Sequence, residues 1–442
     1  MWRLRPFVFF FLIGCLFNAL PSLRLAAADR VSDWRQFRGP TRQGLSNETE
    51  LPETWSSTKN VIWRADLPGA GSSSPIIVGQ KVFLTCFTGF GVPGEPGKME
   101  DLKFHLLCRS VSDGANLFDR TIEPNLPEQP YVREDHGYAS STPVSEGNDK
   151  LIYTFFGRTG VSAFDRTYRE KWHKSVGSGT HQWGSAASLV LTQDLVIVNA
   201  SVESGSLVAF DKKTGERRWK ISGIEESWNT PLLVDVENGQ QELIIAVRGK
   251  VMGLDPASGA ELWFCVTDIG FDPKKSYFVP SLVAKDGIVY SIAGERSGGG
   301  LAVRVGGKGD VTKTHRLWTT RKGSNVGSPV LHGEHLYWMH ESLGLVYCAD
   351  AKTGDNVYEQ RVAQGAEQVY ASPVLVDGKL YFVTRSGLTF VIAAKPEYEL
   401  LAINDLAPRN RRTPEVFNAS PAVSGGRLFV RSDRTLYCIG KK

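Results

Sequence analysis

The residues of this 442-residue chain whose chemistry suits a site recur in one kind of place, a short polar loop just ahead of an apolar, strand-like run. These loops carry Asp135-His136-Gly137-Tyr138, His181-Gln182-Trp183, Glu225-Glu226-Ser227-Trp228, Lys275-Ser276-Tyr277-Phe278, Ser324-Asn325, Gln368-Val369-Tyr370 and Phe417-Asn418. Imidazoles and carboxylates can move protons or ligate a metal, amides can orient a polar ligand, and aromatic rings can stack on it. The candidate ligand- or partner-binding residues are His136, Tyr138, His181, Trp183, Glu225, Trp228, Tyr277, Asn325, Tyr370 and Asn418. An aromatic recurring at one loop position also serves to pack one repeat on the next, and that reading stands beside the binding one.

Catalytic chemistry has less support. His136, His181, Asp135 and Glu225 lack the fixed spacing of a metal-ligand motif. No Gly-x-Ser-x-Gly elbow accompanies a Ser-His-Asp set. Gly306-Gly307-Lys308-Gly309 misses the phosphate-loop pattern, because Ala302 stands where its first glycine belongs and Gly309 where a Ser or Thr must follow the lysine. It and Gly298-Gly299-Gly300 read as two glycine-rich hairpin turns. No catalytic residue and no metal ligand is assigned.

What must position the loops is a repeat. In residues 205–219 an alternating strand (Val208, Phe210) runs into Asp211-Lys212-Lys213-Thr214-Gly215 and a second strand ending at Trp219. An Asp opening such a turn can accept backbone N–H groups two residues on, and a closing Gly adopts the left-handed conformation. The pattern returns at Asp255 and Asp350, and in degraded form at Asp113 and Asp165. A residue needed at every turn is structural.

A second signal, typically Ser/Thr-Pro before an apolar strand, places repeat starts at Pro75, Pro143, Ala186, Pro231, Pro280, Pro329, Pro373 and Pro421. They are 43–49 residues apart except for a first interval of 68, which holds a Gly/Pro-rich insertion near residues 87–102. That period is the one expected of a four-stranded propeller blade. The last repeat stops three strands in, at residues 436–439, while residues 61–64 form a strand with no repeat before it. Pairing the two removes both exposed edges. The expectation is an all-β protein, an eight-bladed β-propeller of four-stranded blades closed by pairing an N-terminal strand with the C-terminal blade.

The N-terminus reads as an export signal over residues 1–28: Arg3 and Arg5, an apolar run from Phe7, then small residues ending at Ala28. Leu12-Ile13-Gly14-Cys15 offers a rival cut at a lipidated cysteine. Losing Arg3, Arg5 and Arg24 leaves 48 basic residues against 47 acidic, a balance that gives no support to nucleic acid as a partner. The five remaining cysteines show no CxxC and read as strand packing, with a cross-strand Cys86–Cys108 disulfide as the alternative. The domain reading is a signal peptide (1–28), a lead-in packed on the propeller (29–60) and the propeller itself (61–442).

Ser-Pro-x-Val, Ala-x-Asp-x-x-Thr-Gly and the closing Trp resemble the PQQ-type propeller repeat of quinoprotein dehydrogenases and of the BamB family. DWRQFRGPTRQG near the start, GGLAVRVGGKGDVTKTHRLW at 299–318, and FNASPAV with LYCIG at the end resemble a group of exported bacterial PQQ-binding-like β-propeller proteins. The resemblance implies a non-catalytic binding or scaffold propeller in the periplasm or cell envelope, a monomer docking an envelope protein or a glycan on its aromatic-rich loop face. Membrane attachment would follow only from lipidation at Cys15. A quinoprotein-like oxidoreductase using PQQ and calcium is the alternative, with Trp183 or Trp228 stacking the quinone and Glu225 or Asn325 facing the ion. The adjacent bonded cysteines of those enzymes have no counterpart here, and no cofactor is expected.

Overall fold

Alternating apolar residues and Gly-closed turns make short antiparallel strands, and these assemble into eight sheets arranged as propeller blades. The computed structural model describes residues 1–2, 33–95, 97–133, 137–147, 150–236, 239–267, 277–294, 299–362, 368–407 and 414–441. Nearly all of the export-signal reading, residues 1–28, lies outside them. Blade 3 shows the pattern, pairing Val190–Leu191, Leu195–Ala200, Ser206–Asp211 and Arg217–Ser222 in order from inner to outer strand. The eighth blade takes three strands from the C-terminus (Ala422–Ser424, Arg427–Arg431, Thr435–Ile439) and its outer strand, Val61–Asp66, from the N-terminus. Trp63 faces Cys438 there, so the ring closes as the sequence predicts.

The repeat turns have the predicted mechanism. The Asp211 carboxylate accepts the N–H groups of Lys213 and Thr214 at 2.9 and 3.0 Å, and Asp350 those of Lys352 and Thr353 at 2.8 and 2.9 Å. Gly215 and Gly354 close these turns with φ of 69° and 78°.

Four outer-strand tryptophans do more than end a repeat, while a fifth, Trp263, stays within its own blade and donates to Glu242 at 2.7 Å. Each of Trp63, Trp172, Trp219 and Trp318 lays its indole on the turn glycine of the following blade, where a Cβ on Gly114, Gly215, Gly259 or Gly354 would stand 2.6–2.8 Å from the ring. Each also donates its indole N–H across that boundary, to the carbonyls of Val111, Lys212, Pro256 and Ala351 at 2.9–3.2 Å. The glycine thus serves both the turn and the interface between blades.

Around the central axis runs a closed belt of hydrogen bonds. The N–H of Ser74 donates to the hydroxyl of Thr142, Thr142 to Ser188, Ser188 to Thr230, Thr230 to Ser281, Ser281 to Ser328, Ser328 to Ser372, Ser372 to Ser420 and Ser420 back to Ser74, all at 2.9–3.1 Å. These are the residues of the Ser/Thr-Pro signal. Two predicted starts are corrected by it: in blades 3 and 5 the belt residues are Ser188 and Ser281, followed by Leu189 and Leu282, so Ala186 and Pro280 lie upstream of the equivalent position. The hydroxyl is the element kept in every blade, while the proline after it is dispensable.

Further corrections are local. Cys86 faces His105 and Cys108 faces Phe83, so the two cysteines are not cross-strand partners, and all five described cysteines are buried and free. Gly306–Gly309 is no simple hairpin: Gly309–Asp310 leaves blade 5 and pairs parallel to Trp263 and Phe264 at the outer edge of blade 4. Gly298 lies outside the described residues.

The lead-in crosses one face of the ring. Trp34 exchanges two 2.9 Å hydrogen bonds with Ile77 of blade 1, and the Arg35 carbonyl accepts the N–H of Ser145 of blade 2. Arg42 donates to the Leu191 carbonyl (blade 3) at 3.0 Å, and Gln43 accepts the Ala284 N–H (blade 5) at 2.6 Å. Arg38 donates to the Pro329 carbonyl (blade 6), and Leu45–Ser46 adds a parallel strand to blade 7. Glu48 accepts the N–H groups of Gly425 and Gly426 in blade 8. The Arg38 guanidinium is buried, and loss of hydration pulls its pKa down to about 9.

Candidate functional site

The chain enters each blade in extended conformation, so alternate residues face the axis. One register holds the belt hydroxyls; two residues earlier, Ser72, Ser140, Ala186, Trp228, Val279, Val326, Tyr370 and Asn418 line the same channel. The result is a cavity of about 340 Å³. Phe37, from the lead-in, lines it too, and the hydrogen-bonded lead-in lies across the end of the channel away from the aromatic loops. The cavity is therefore a blind well.

Its walls differ. On one side stand Trp183, Trp228 and Tyr277, with ring centroids 5.2 Å (Trp183–Trp228) and 5.0 Å (Trp183–Tyr277) apart. Trp228 is buried and donates its indole N–H to the Gly184 carbonyl at 2.9 Å, whereas Trp183 is half-buried and lines the well. The other side is polar. Asn325 donates its backbone and side-chain N–H groups to the two carboxylate oxygens of Glu341, at 3.0 and 2.6 Å. The Arg385 guanidinium lies 4.6 Å from the Tyr370 ring centroid and donates to the side-chain oxygens of Asn418 and Gln368.

Six candidates from the sequence thus line one cavity: Trp183, Trp228, Tyr277, Asn325, Tyr370 and Asn418. Three do not. Tyr138 packs against Phe87 and Phe90 and donates to the Gln129 carbonyl at 2.6 Å. His181 packs against both tryptophans without lining the well, and burial lowers its pKa although Glu226 opposes the shift. Glu225 pairs with Arg248 at 3.2 Å, its side chain 63% exposed. His136 and Asp135 lie outside the described residues. Among the described residues, no group of three or more His, Cys, Asp or Glu is placed to hold a metal ion.

Several lining residues escaped the sequence reading. Phe37 comes from the lead-in, far from any repeat loop, and Glu341 from a connection inside blade 6, so neither carries a positional signal. Beside the mouth, Glu203 and Glu128 are buried, and desolvation raises each pKa to about 7. The Ser185 hydroxyl donates to Glu203, and Thr159 to Glu128 at 3.5 Å.

A family model described as outer membrane protein assembly factor BamB matches residues 105–237 and 133–360, together more than half of the chain. No curated protein sequence matches it. Among solved structures, BamB from Moraxella catarrhalis is 14% identical with a TM-score of 0.52, over 86% of this chain and 97% of its own. The computationally designed Ika8 protein is 13% identical with a TM-score of 0.56, over 86% and 99%. A europium-containing methanol dehydrogenase is 10% identical with a TM-score of 0.51, over 92% and 98%. At these identities the likeness is one of fold.

Proposed function

Because this chain belongs to the PQQ-repeat propeller family of the outer membrane protein assembly factor BamB, we propose that it is a non-catalytic binding propeller of the bacterial cell envelope, exported and docking its ligand or partner at the aromatic loop face. The observation that carries this reading is the well. Its far end is covered by the chain's own lead-in, while its mouth gathers half-buried aromatics and oriented amides, the mixture of apolar area and a few fixed polar groups that binding sites use.

Oxidation of a substrate by a bound quinone has weaker support from the same residues. A polyanionic quinone and its calcium ion ask for clustered cations and several carboxylates. The described lining offers one carboxylate, Glu341, already engaged by Asn325, and one guanidinium, Arg133. These residues do not fit the group, and no redox step is derived through it.

The test places a photo-crosslinking amino acid at Gln182, on the mouth, or at Lys441, on the lead-in side, in the exporting bacterium. Adducts specific to position 182 are expected. Identical patterns from both positions, or adducts from 441 alone, would reject the aromatic face as the docking surface.

A further inference from the structure

We infer that the blind well is a saccharide site, taking a neutral sugar of about one or two rings with one face on Trp183 and its hydroxyls toward the amide wall and the belt. This rests on the aromatic mouth being the binding face, and it names the chemical class that enters.

Size and closure exclude the larger occupants. About 340 Å³ lies at the lower end of small-ligand pockets and is too little for a helix or a folded partner. With Phe37 and the lead-in across its far end, an extended chain cannot thread it.

The two walls then choose among small molecules. A pyranose has one face of C–H groups and a perimeter of hydroxyls. Trp183, packed T-shaped against Tyr277 and tilted against Trp228, gives the well a broad aromatic platform of the kind such a face needs. Opposite it the amides are already oriented, Asn325 by Glu341, and Gln368 and Asn418 by Arg385. Below them each belt hydroxyl accepts one backbone N–H and keeps its own proton to donate. Amides and hydroxyls that both donate and accept are what a ring of sugar hydroxyls requires.

Charge decides against ionic ligands. The described lining holds one guanidinium and one carboxylate, and Glu341 is occupied with Asn325. No excess of either sign is present to repay the dehydration of an anion or a cation.

The purified exported chain is titrated with glucose, N-acetylglucosamine, cellobiose and N,N′-diacetylchitobiose, by tryptophan fluorescence for the wild type and calorimetry for all variants. Saturable binding of at least one of these is expected, weaker by about tenfold in Trp183→Ala, the factor that roughly 1.4 kcal/mol makes. Gln368→Ala alters an exposed residue that leaves folding intact, and is expected to weaken binding several-fold. Tyr131→Ala, 63% exposed and outside the well, is expected to leave it unchanged. The inference is overturned by folded wild-type protein that none of the four sugars saturates, by equal affinity in wild type and both well variants, or by pyrroloquinoline quinone binding that sugars do not displace. Mouth-specific crosslinks without sugar binding would sink this inference and leave the proposed function standing; the absence of both would sink both.

Discussion

Replacing Gly354 by Ala tests whether the tryptophans laid across four of the eight blade boundaries help hold the ring together. Gly354 has φ of +78°, and a Cβ there would stand 2.6 Å from the Trp318 ring. The left-handed backbone alone costs an L-residue about 1–2 kcal/mol. The indole must also shift, although it is only 8% exposed and donates to the Ala351 carbonyl at 2.9 Å. Losing that hydrogen bond and part of the packing adds about 2–3 kcal/mol, for roughly 3–5 kcal/mol in total. Gly378 is the control, with φ of +68° and nothing within 4 Å of where a Cβ would stand, so Gly378→Ala should cost only the strain, about 1–2 kcal/mol. Over roughly 400 residues, at about 2.1 cal/mol/K per residue, each kcal/mol lowers Tm by a little over 1 °C. Denaturant titration is therefore the sharper assay. In a Trp318→Ala background the extra penalty of Gly354→Ala should vanish, leaving the strain alone. Equal costs for the two glycine variants, or a Gly354→Ala penalty unchanged without the indole, would refute the docking argument.

Two predictions accompany it and the two binding tests above. Glu128 and Glu203 have pKa values raised by burial to about 7, so both bind protons in the folded state that the unfolded chain releases near pH 4.5. Stability from this pair is full below about pH 4.5 and is lost as pH rises through about 7; Glu203→Gln should flatten part of the slope between pH 5 and 8, and parallel denaturation profiles for variant and wild type would contradict this. Ser328→Ala removes the acceptor of the Ser281 N–H at 2.9 Å and strands a buried amide, for about 1–3 kcal/mol of unfolding free energy read by denaturant titration, while Ser328→Thr keeps the hydroxyl and should recover most of it.

Much of the architecture was legible because one period is written many times. The Asp-to-Gly turns, the blade spacing and the orphan strand at Val61–Asp66 each express a local rule that repetition makes unmistakable. The belt was visible as spelling but not as geometry: Ser or Thr before Pro marks a blade start, yet only the closed ring shows that its hydroxyl receives the previous blade's N–H. Of the site, aromatics and amides in repeat loops could be named, but not sorted. Tyr138 and Trp183 occupy similar loops, and only their neighbours, Phe87 and Phe90 for one and the well for the other, separate packing from lining. Phe37 and Glu341 reach the well from non-repeating segments, where periodicity carries no information.

The eighth blade also sets an order of events. Its outer strand, Val61–Asp66, is among the first parts of the propeller to be synthesised, and its partner, Thr435–Ile439, among the last. Until that partner exists, seven blades form an open arc with an unclaimed edge at each end, the kind of edge that recruits other chains. A product cut short before Thr435 is therefore more than a propeller missing a few residues, because it has no means of sealing itself. Synthesis of this one strand and closure of the ring are therefore one event, so five residues, Thr435–Ile439, decide whether seven blades stay an arc or become a ring.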